Sequence, residues 1–355
     1  MGLSHRNTDI LCGKHFWFLS IIGRFRRGPV NARVGWGVIV SISKQKQHLV
    51  AAGVLGMLAG MAPDLDILIR SSNDPLLFLQ YHRQFTHSLL FIPIGSLLCT
   101  LVLYLLFAKR LGLSFTQTWW YCALGYATHG LLDACTSYGT QLLWPFTNER
   151  YAWNTVSVID PAFTLPVLIG VVFVLLKRNP WYARIAIVWA FAYLTFGMIQ
   201  RDRAEEAGWE LAQARQHAPV RLEAKPTFAN SLVWKVIYEA EGRYYVDAIR
   251  VGAATKIYTG ESVAKLDIGK DFPWLSSTSQ QALDIERFRW FSDGFVARDP
   301  DDEKRIIDVR YSMVPNQIKA LWGIEISPSS DENNHVPTRH IEALRKNQDK
   351  HLSIC

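Results

Sequence analysis

The chain has 355 residues, 49% hydrophobic and only 19% charged, with thirteen tryptophans; soluble domains carry about a quarter charged residues, so an ordinary soluble domain is excluded. Up to residue 200 there are 16 Lys plus Arg against 7 Asp plus Glu, and beyond it 22 against 24. The basic excess belongs to the apolar half, which is the pattern of membrane spans with basic flanking loops. It argues against a nucleic-acid partner, which calls for a basic patch on a folded domain.

In chain order, the apolar run Phe16 to Ile22 leads into Arg24, Arg26 and Arg27, so no secretory signal peptide is expected. Residues 1–48 read as a basic segment in which Val34 to Ile42 forms a short interfacial or re-entrant helix. Five stretches then read as transmembrane helices against about 30 Å of hydrocarbon. They are Leu49 to Ile69, Leu89 to Phe107, Trp119 to Cys135, Val158 to Leu176 and Ala183 to Ile199. Lys109-Arg110 and Lys177-Arg178 close the second and fourth, which predicts a cytoplasmic side for those ends. The loops 70–88 and 136–157, and the tail beyond residue 200, then fall on the outer, periplasmic or extracellular side.

The tail, residues 201–330, reads as a small extramembrane α+β domain. Arg201 to His217 has helical composition. Trp234 to Tyr238 and Tyr244 to Ile249 are β-rich runs joined through Glu241-Gly242, a hairpin signal. Ser279 to Phe291 has helical spacing, and Ile306 to Met313 and Ile318 to Ile326 read as two more strands. Residues 331–355 are polar and read as disordered. The five cysteines form no CxxC pair or disulfide framework and read as buried thiols.

Ionisable residues in the apolar half fall at helix ends. Asp64 and Asp66 end the first span, His82 and His87 precede the second, His129 and Asp133 lie in the last turns of the third, and Asp160 opens the fourth. Under the topology above all seven face the outer side. His129 and Asp133 are four apart, on one helix face about 6 Å from each other, as two ligands of a metal or as a histidine with its orienting carboxylate. His82 and His87 are five apart, so His82 is expected from the loop and His87 from the helix start. Imidazoles and carboxylates without thiolates suit Zn, Mn or Fe, and a metal so held activates water for hydrolysis. Asp66 or Asp160 then serves as general base. Arg83 is the one base among these groups and offers a forked donor to a phosphate or carboxylate; its competing reading is a membrane-surface anchor. The competing reading of Asp64 and Asp66 is a helix ending, and that of His129 with Asp133 is a buried structural hydrogen bond. Ionisable residues in a membrane are costly, however, and functional by default. Tyr138, Gly139, Thr140, Trp144, Pro145 and Phe146 form a loop that either roofs the site or packs at the interface.

The strings Gly60 to Asp66, His82 to Leu90, His129 to Asp133 and Tyr138 to Phe146, followed by Asp160-Pro161, resemble those of the bacterial membrane-bound metal-dependent hydrolases, the YdjM-like group of inner-membrane proteins. The likeness runs from about Val34 to Ile199 in order and spacing. It implies a bacterial inner-membrane location and metal-dependent hydrolysis, without a substrate. One departure is that Asn31-Ala32-Arg33 stands where the family carries a polar motif, so His5, His15 and His48 are not placed in the site.

The expectation is therefore an α-helical integral membrane protein of about five transmembrane helices with a small C-terminal α+β domain. Asp64, Asp66, His82, His87, His129 and Asp133 are its expected metal ligands, and Asp66, Asp160 and Arg83 its expected catalytic residues. The cofactor is a divalent metal, zinc first, with manganese or iron as alternatives. The partner is the lipid bilayer, and the substrate a lipid-linked or membrane-proximal ester or phosphoester. An ion-coupled transporter and a non-catalytic metal-stabilised scaffold are the competing readings; a transporter would want its site near the midplane.

Overall fold

The structure, a computed structural model, describes residues 48–340. The expected helix at Val34 to Ile42 and residues 341–355 lie outside the described residues. The described residues divide into two compact units, one of 48–62, Ser96–His129 and Pro166–Ile187, the other of Pro63–Gly95, Gly130–Leu165 and 188–340.

The first unit is helical. It contains α1 (Leu49–Met61) and most of α3 (Ile92–Leu106), α4 (Phe115–Ala134) and α5 (Pro161–Lys177), with the start of α6 (Trp181–Ala214). Small residues set the helix spacing: a Cβ on Gly125 would lie 2.0 Å from the Gly56 carbonyl oxygen, and one on Gly170 2.7 Å from the Ala186 Cβ. Such contacts let helix backbones approach closely in a membrane, where no hydrophobic force drives them together. Leu55, Ala59, Leu103, Leu113 and Cys122 form its buried core. Leu98, Val102, Leu105 and Leu106 of α3, with Ile169 and Leu176 of α5, are exposed, as lipid-facing stripes are.

Five spans are not what the structure contains. Among the described residues two helical stretches are long and apolar enough to cross a membrane, Leu49–Leu68 and Trp181–Ala214. A third counts if Leu77–His87 and Ile92–Leu106, bent by 84°, form one broken span. The chain stays in turns until Ile92, so α3 has 15 residues, about 22 Å at 1.5 Å per residue. Helix α5 has 17. Helix α4 is long enough at 20 residues but carries Thr, Gln, Tyr, His and Asp along its length. The helical membrane part is there; the span count was over-read from apolar runs that include turns.

The second unit holds the 3-10 turn Pro63–Leu68, the short helix α2 (Leu77–Tyr81), the loop 135–160, the end of α6 and the C-terminal sheets. Helix α6 runs unbroken for 34 residues, through residue 200. Its last turns pack on a sheet: Ala204 and Ala207 meet Trp234, Val236 and Ile249, and a Cβ on Gly208 would lie 2.7 Å from Val236.

That sheet is the antiparallel meander β1 (Arg221–Pro226), β2 (Val233–Ala240), β3 (Arg243–Val251) and β4 (Thr255–Ala264). The expected hairpin is its centre. Glu241 and Gly242 have φ of 53° and 70°, the positive values that a two-residue turn matched to strand twist requires. A second meander follows, β5 (Val296–Asp299), β6 (Asp302–Asp308), β7 (Trp322–Glu325) and β8 (Thr338–His340). Ile237, Tyr244 and Val246 of the first sheet pack on Phe295, Ile307 and Val309 by the second. After the short helix α7 (Ile268–Asp271) comes α8 (Gln280–Phe291), N-capped by Ser279, whose side chain accepts from the Ala282 N–H. Ile285, Phe288 and Phe291 of α8 bury with Leu76, Ile306 and Ile324. The two late strands are shorter than expected because Val309-Arg310 turns and only a single bridge, Ser312 to Ala320, precedes β7. Residues 331–340 are not loose tail: they include β8 and the buried Val336.

Candidate metal centre

Pro63 starts the turn that carries the first two carboxylates. In a 3-10 turn residues two apart point to different sides, so Asp64 keeps a side chain 45% exposed while Asp66 is buried. Asp66 Oδ1 accepts from His82 Nδ1 at 2.8 Å, and Oδ2 accepts from the Arg83 N–H at 2.9 Å and the Thr86 hydroxyl at 3.0 Å. One carboxylate thus shapes the whole turn 82–87. Arg83 has a φ of 62°, an uncommon left-handed value for a residue with a Cβ, of the strained kind held at functional sites.

His82 leaves the C-terminus of α2, stacked on Phe78 at 4.9 Å and edge-on to Tyr138 at 6.0 Å. His87 ends the short 3-10 turn Phe85–His87 and is buried. Its Nδ1 lies 2.9 Å from Thr86 Oγ1 and 3.3 Å from Asp66 Oδ2. Its Nε2 lies 3.3 Å from Asp133 Oδ2 and 3.7 Å from Asp64 Oδ1.

Helix α4 supplies the rest. His129 and Asp133 are one turn apart and both buried. A Cβ on Gly130 would lie 2.4 Å from the His87 carbonyl oxygen, so the missing side chain lets the helix press against the turn. Arg83 Nε reaches Asp133 Oδ2 at 3.1 Å, and its Nη1 donates to Thr136 Oγ1 at 3.0 Å. Asp64, His87, His129 and Asp133 each offer a ligand atom, all within 4.8 Å of one another. Two imidazoles and two carboxylates, with no thiolate, suit a divalent metal. Of the three carboxylates here, Asp64, Asp66 and Asp133, only Asp133 meets a guanidinium, that of Arg83, a balance that a cation improves.

Four of the six expected ligands therefore converge. Asp66 and His82 stand behind them, with Asp66 as the carboxylate that orients His87. Asp160 is elsewhere: it accepts from the N–H groups of Ala162 and Phe163 and from the Tyr193 hydroxyl, at 2.9 to 3.2 Å, and so caps α5. Of the loop expected to roof the site, Tyr138 lies against His82 and under the Arg83 guanidinium at 5.1 Å, while Phe146 is 81% exposed.

Arg83 is not the only base near these groups. Arg150, which the sequence reading passed over, donates to the His82 and Gly139 carbonyls at 3.3 and 3.0 Å and lies over the rings of Trp290 and Phe291. Thr86, Gly130 and Thr136 were also missed. The first two stand inside the motifs beside the histidines, which was the available signal; Thr136 follows Asp133 by three residues.

Residues 32–204 match the YdjM inner membrane protein family. Over these residues, just under half of the chain, it is similar to that family. The YdjM segment contains every residue of the group. Two curated relatives are similar to this chain: an uncharacterized protein, YfhP, of Bacillus subtilis (strain 168), 30% identical over 111 residues, covering 31% of this chain and 33% of YfhP; and the inner membrane protein YbcI of Escherichia coli (strain K12), 33% identical over 107 residues, covering 29% of this chain and 60% of YbcI. The match thus spans about a third and three fifths of their lengths. The YdjM relationship supports an inner-membrane location. No solved structure matches the chain.

Proposed function

We propose that this protein is a membrane-bound metal-dependent hydrolase acting on a lipid-linked or membrane-proximal ester or phosphoester. The observation that carries the reading is the convergence of Asp64, His87, His129 and Asp133 within 4.8 Å. A bound divalent metal, zinc first and manganese or iron as alternatives, supplies Lewis acidity and makes water a better acid.

His87, His129 and Asp133, the three buried members of the group, would hold such a metal. Asp64, the carboxylate of the four with the exposed side chain, takes the proton of the attacking water. Asp66 already accepts three hydrogen bonds; its part is to hold His87 Nδ1 so that Nε2 faces the group. Arg83, beside Asp133, places positive charge where an anionic oxygen of substrate would gather it.

Charge supports one side of the membrane for the site. Lys109 and Arg110 follow α3, and Lys177 and Arg178 close α5, at the ends remote in sequence from the group. Basic residues favour the cytoplasm, which supports a multi-pass chain with its site and C-terminal sheets on the periplasmic side.

The test is metal analysis and turnover on one preparation of purified full-length protein. About one equivalent of metal, lost in His129→Ala, with hydrolysis of a lipid ester or phosphoester that disappears in Asp64→Asn, is the expected result. Metal bound without turnover on any such substrate would favour the scaffold; no metal after reconstitution with Zn, Mn and Fe would end the reading.

A further inference from the structure

Beside the metal group, α2 and the turn after it form one wall of a cleft of about 470 Å³, and α8 forms the other, a size typical of small-molecule sites. Its lining is Leu76, Leu79, Gln80, Gln84, Asn148, Glu286, Arg287 and Trp290. The cleft adjoins the group through the chain itself: Gln84 follows His82-Arg83, and Trp290 carries on its ring the Arg150 guanidinium, 5.8 Å away, which in turn donates to the His82 carbonyl.

The charge of the lining decides what fits. Arg287 is its one cation, and that cation is spent: Nη1 and Nη2 donate to both oxygens of Asp74 at 2.9 Å, Nη1 also to Asp284 at 3.0 Å, and Nη2 also to Gln80 Oε1 at 3.5 Å. Glu286 lies 3.5 Å from Arg289. No unsatisfied positive charge remains among these residues for a phosphate, which would need one. What the walls offer are the side-chain amides of Gln84 and Asn148, each both donor and acceptor, the amide N–H groups of Gln80, whose Oε1 faces Arg287, and an indole 39% exposed. Hydroxyl groups also donate and accept, and the C–H faces of a sugar ring pack on an aromatic plane.

We propose that this cleft binds a neutral polyhydroxylated group, a sugar or similar polyol, carried on a lipid or free in solution. On the hydrolase reading, on which this assignment of substrate class rests, it is the headgroup recognised next to the scissile ester, whose charge falls instead to Arg83 and the metal group. Trp290 stacks the ring, and Gln80, Gln84 and Asn148 take its hydroxyls.

The test uses full-length protein in lauryldimethylamine oxide, which has no sugar. Native mass spectrometry compares retention of monoglucosyl diacylglycerol with that of phosphatidylethanolamine of the same chains, which carries no polyol, and saturation-transfer NMR probes methyl β-glucoside. Trp290→Leu is expected to weaken the sugar-bearing probe about tenfold and Asn148→Ala, at an exposed position that leaves folding intact, about threefold. His129→Ala should change neither, which separates this assignment from the metal chemistry. Preference for the glucosyl lipid identifies a lipid headgroup; binding of methyl β-glucoside alone, lost in both cleft variants, identifies a free polyol. Equal retention of the two lipids with no methyl β-glucoside signal, or binding indifferent to both cleft variants, overturns the proposal. Loss of turnover with sugar binding intact would count against the hydrolase and not against the cleft.

Discussion

His87 faces Asp66 with Nδ1 at 3.3 Å, and this fixes which nitrogen points at the metal group. A proton on Nδ1, shared with Asp66 and Thr86, leaves the Nε2 lone pair toward Asp133 and Asp64. Carboxylates in this position raise the basicity of the ligand and hold its tautomer. Asp66→Asn should therefore weaken metal binding by about 10- to 100-fold while leaving a site that fills at high metal. Asp133→Ala should remove a ligand and empty it. Competition with a chelator of known affinity separates the two; equal losses would mean that Asp66 ligates directly.

The second prediction concerns backbone approach. A Cβ on Gly130 would meet the His87 carbonyl at 2.4 Å, and that oxygen is main chain, with no rotamer to yield. Gly130→Ala should push α4 from the turn, costing about 1–3 kcal/mol of overpacking and lowering metal content although no ligand changes. Gly112, where a Cβ would meet nothing within 4 Å, is the comparison: Gly112→Ala strains a left-handed residue yet should keep full metal content. Elemental analysis of both variants decides it.

How much of this was legible in the sequence depends on range. His129 and Asp133 could be paired at sight because a helix has one repeat, and Glu241-Gly242 announced its turn because few residues take positive φ. Asp64 and Asp66 could not be told apart, since the same side chain two residues on has opposite burial only once the chain is known to form a 3-10 turn. The duty of Asp160 was hidden for another reason: its partner Tyr193 lies 33 positions away, and nothing local distinguishes a helix cap from a base. The span count failed on a boundary, as apolar composition does not say that α3 begins at Ile92. The contact of α8 with the turn before His82 was beyond any local pattern, because Asp74 and Arg287 are 213 residues apart.

That pair gives the third prediction. Arg287 binds Asp74 with both terminal nitrogens and also the buried Asp284. Removing the guanidinium leaves Asp284 its contacts to His335 and the Val336 N–H but leaves Asp74 facing no arginine. Arg287→Ala should cost about 1.5–3 kcal/mol, and Asp74→Ala less. The double variant should cost less than the sum of the two single changes, the sign of direct coupling. Limited proteolysis of the full chain in detergent reads it; strict additivity would show that the pair contributes nothing as a pair.

The last prediction is a pH dependence. Lys235 on β2 is buried, its amine donating to Ser312 Oγ at 2.7 Å and the Gln317 carbonyl at 3.1 Å, and burial pushes its pKa down to about 7. An unfolded lysine keeps its proton to about pH 10.4. Between these values the unfolded chain binds more protons than the folded one, so this residue's contribution to stability rises with pH across that window. Below pH 7 both states are protonated and the penalty of a buried ammonium is fully present. Lys235→Met removes the titration and keeps the stem. The stability of the natural chain minus that of the variant should climb from pH 7 to 9.5, by up to about 1.4 kcal/mol per unit, and stay flat from pH 5.5 to 6.5. Thermal unfolding of both full-length proteins at matched pH measures that difference, and a difference that does not change with pH would place the Lys235 pKa at its ordinary value.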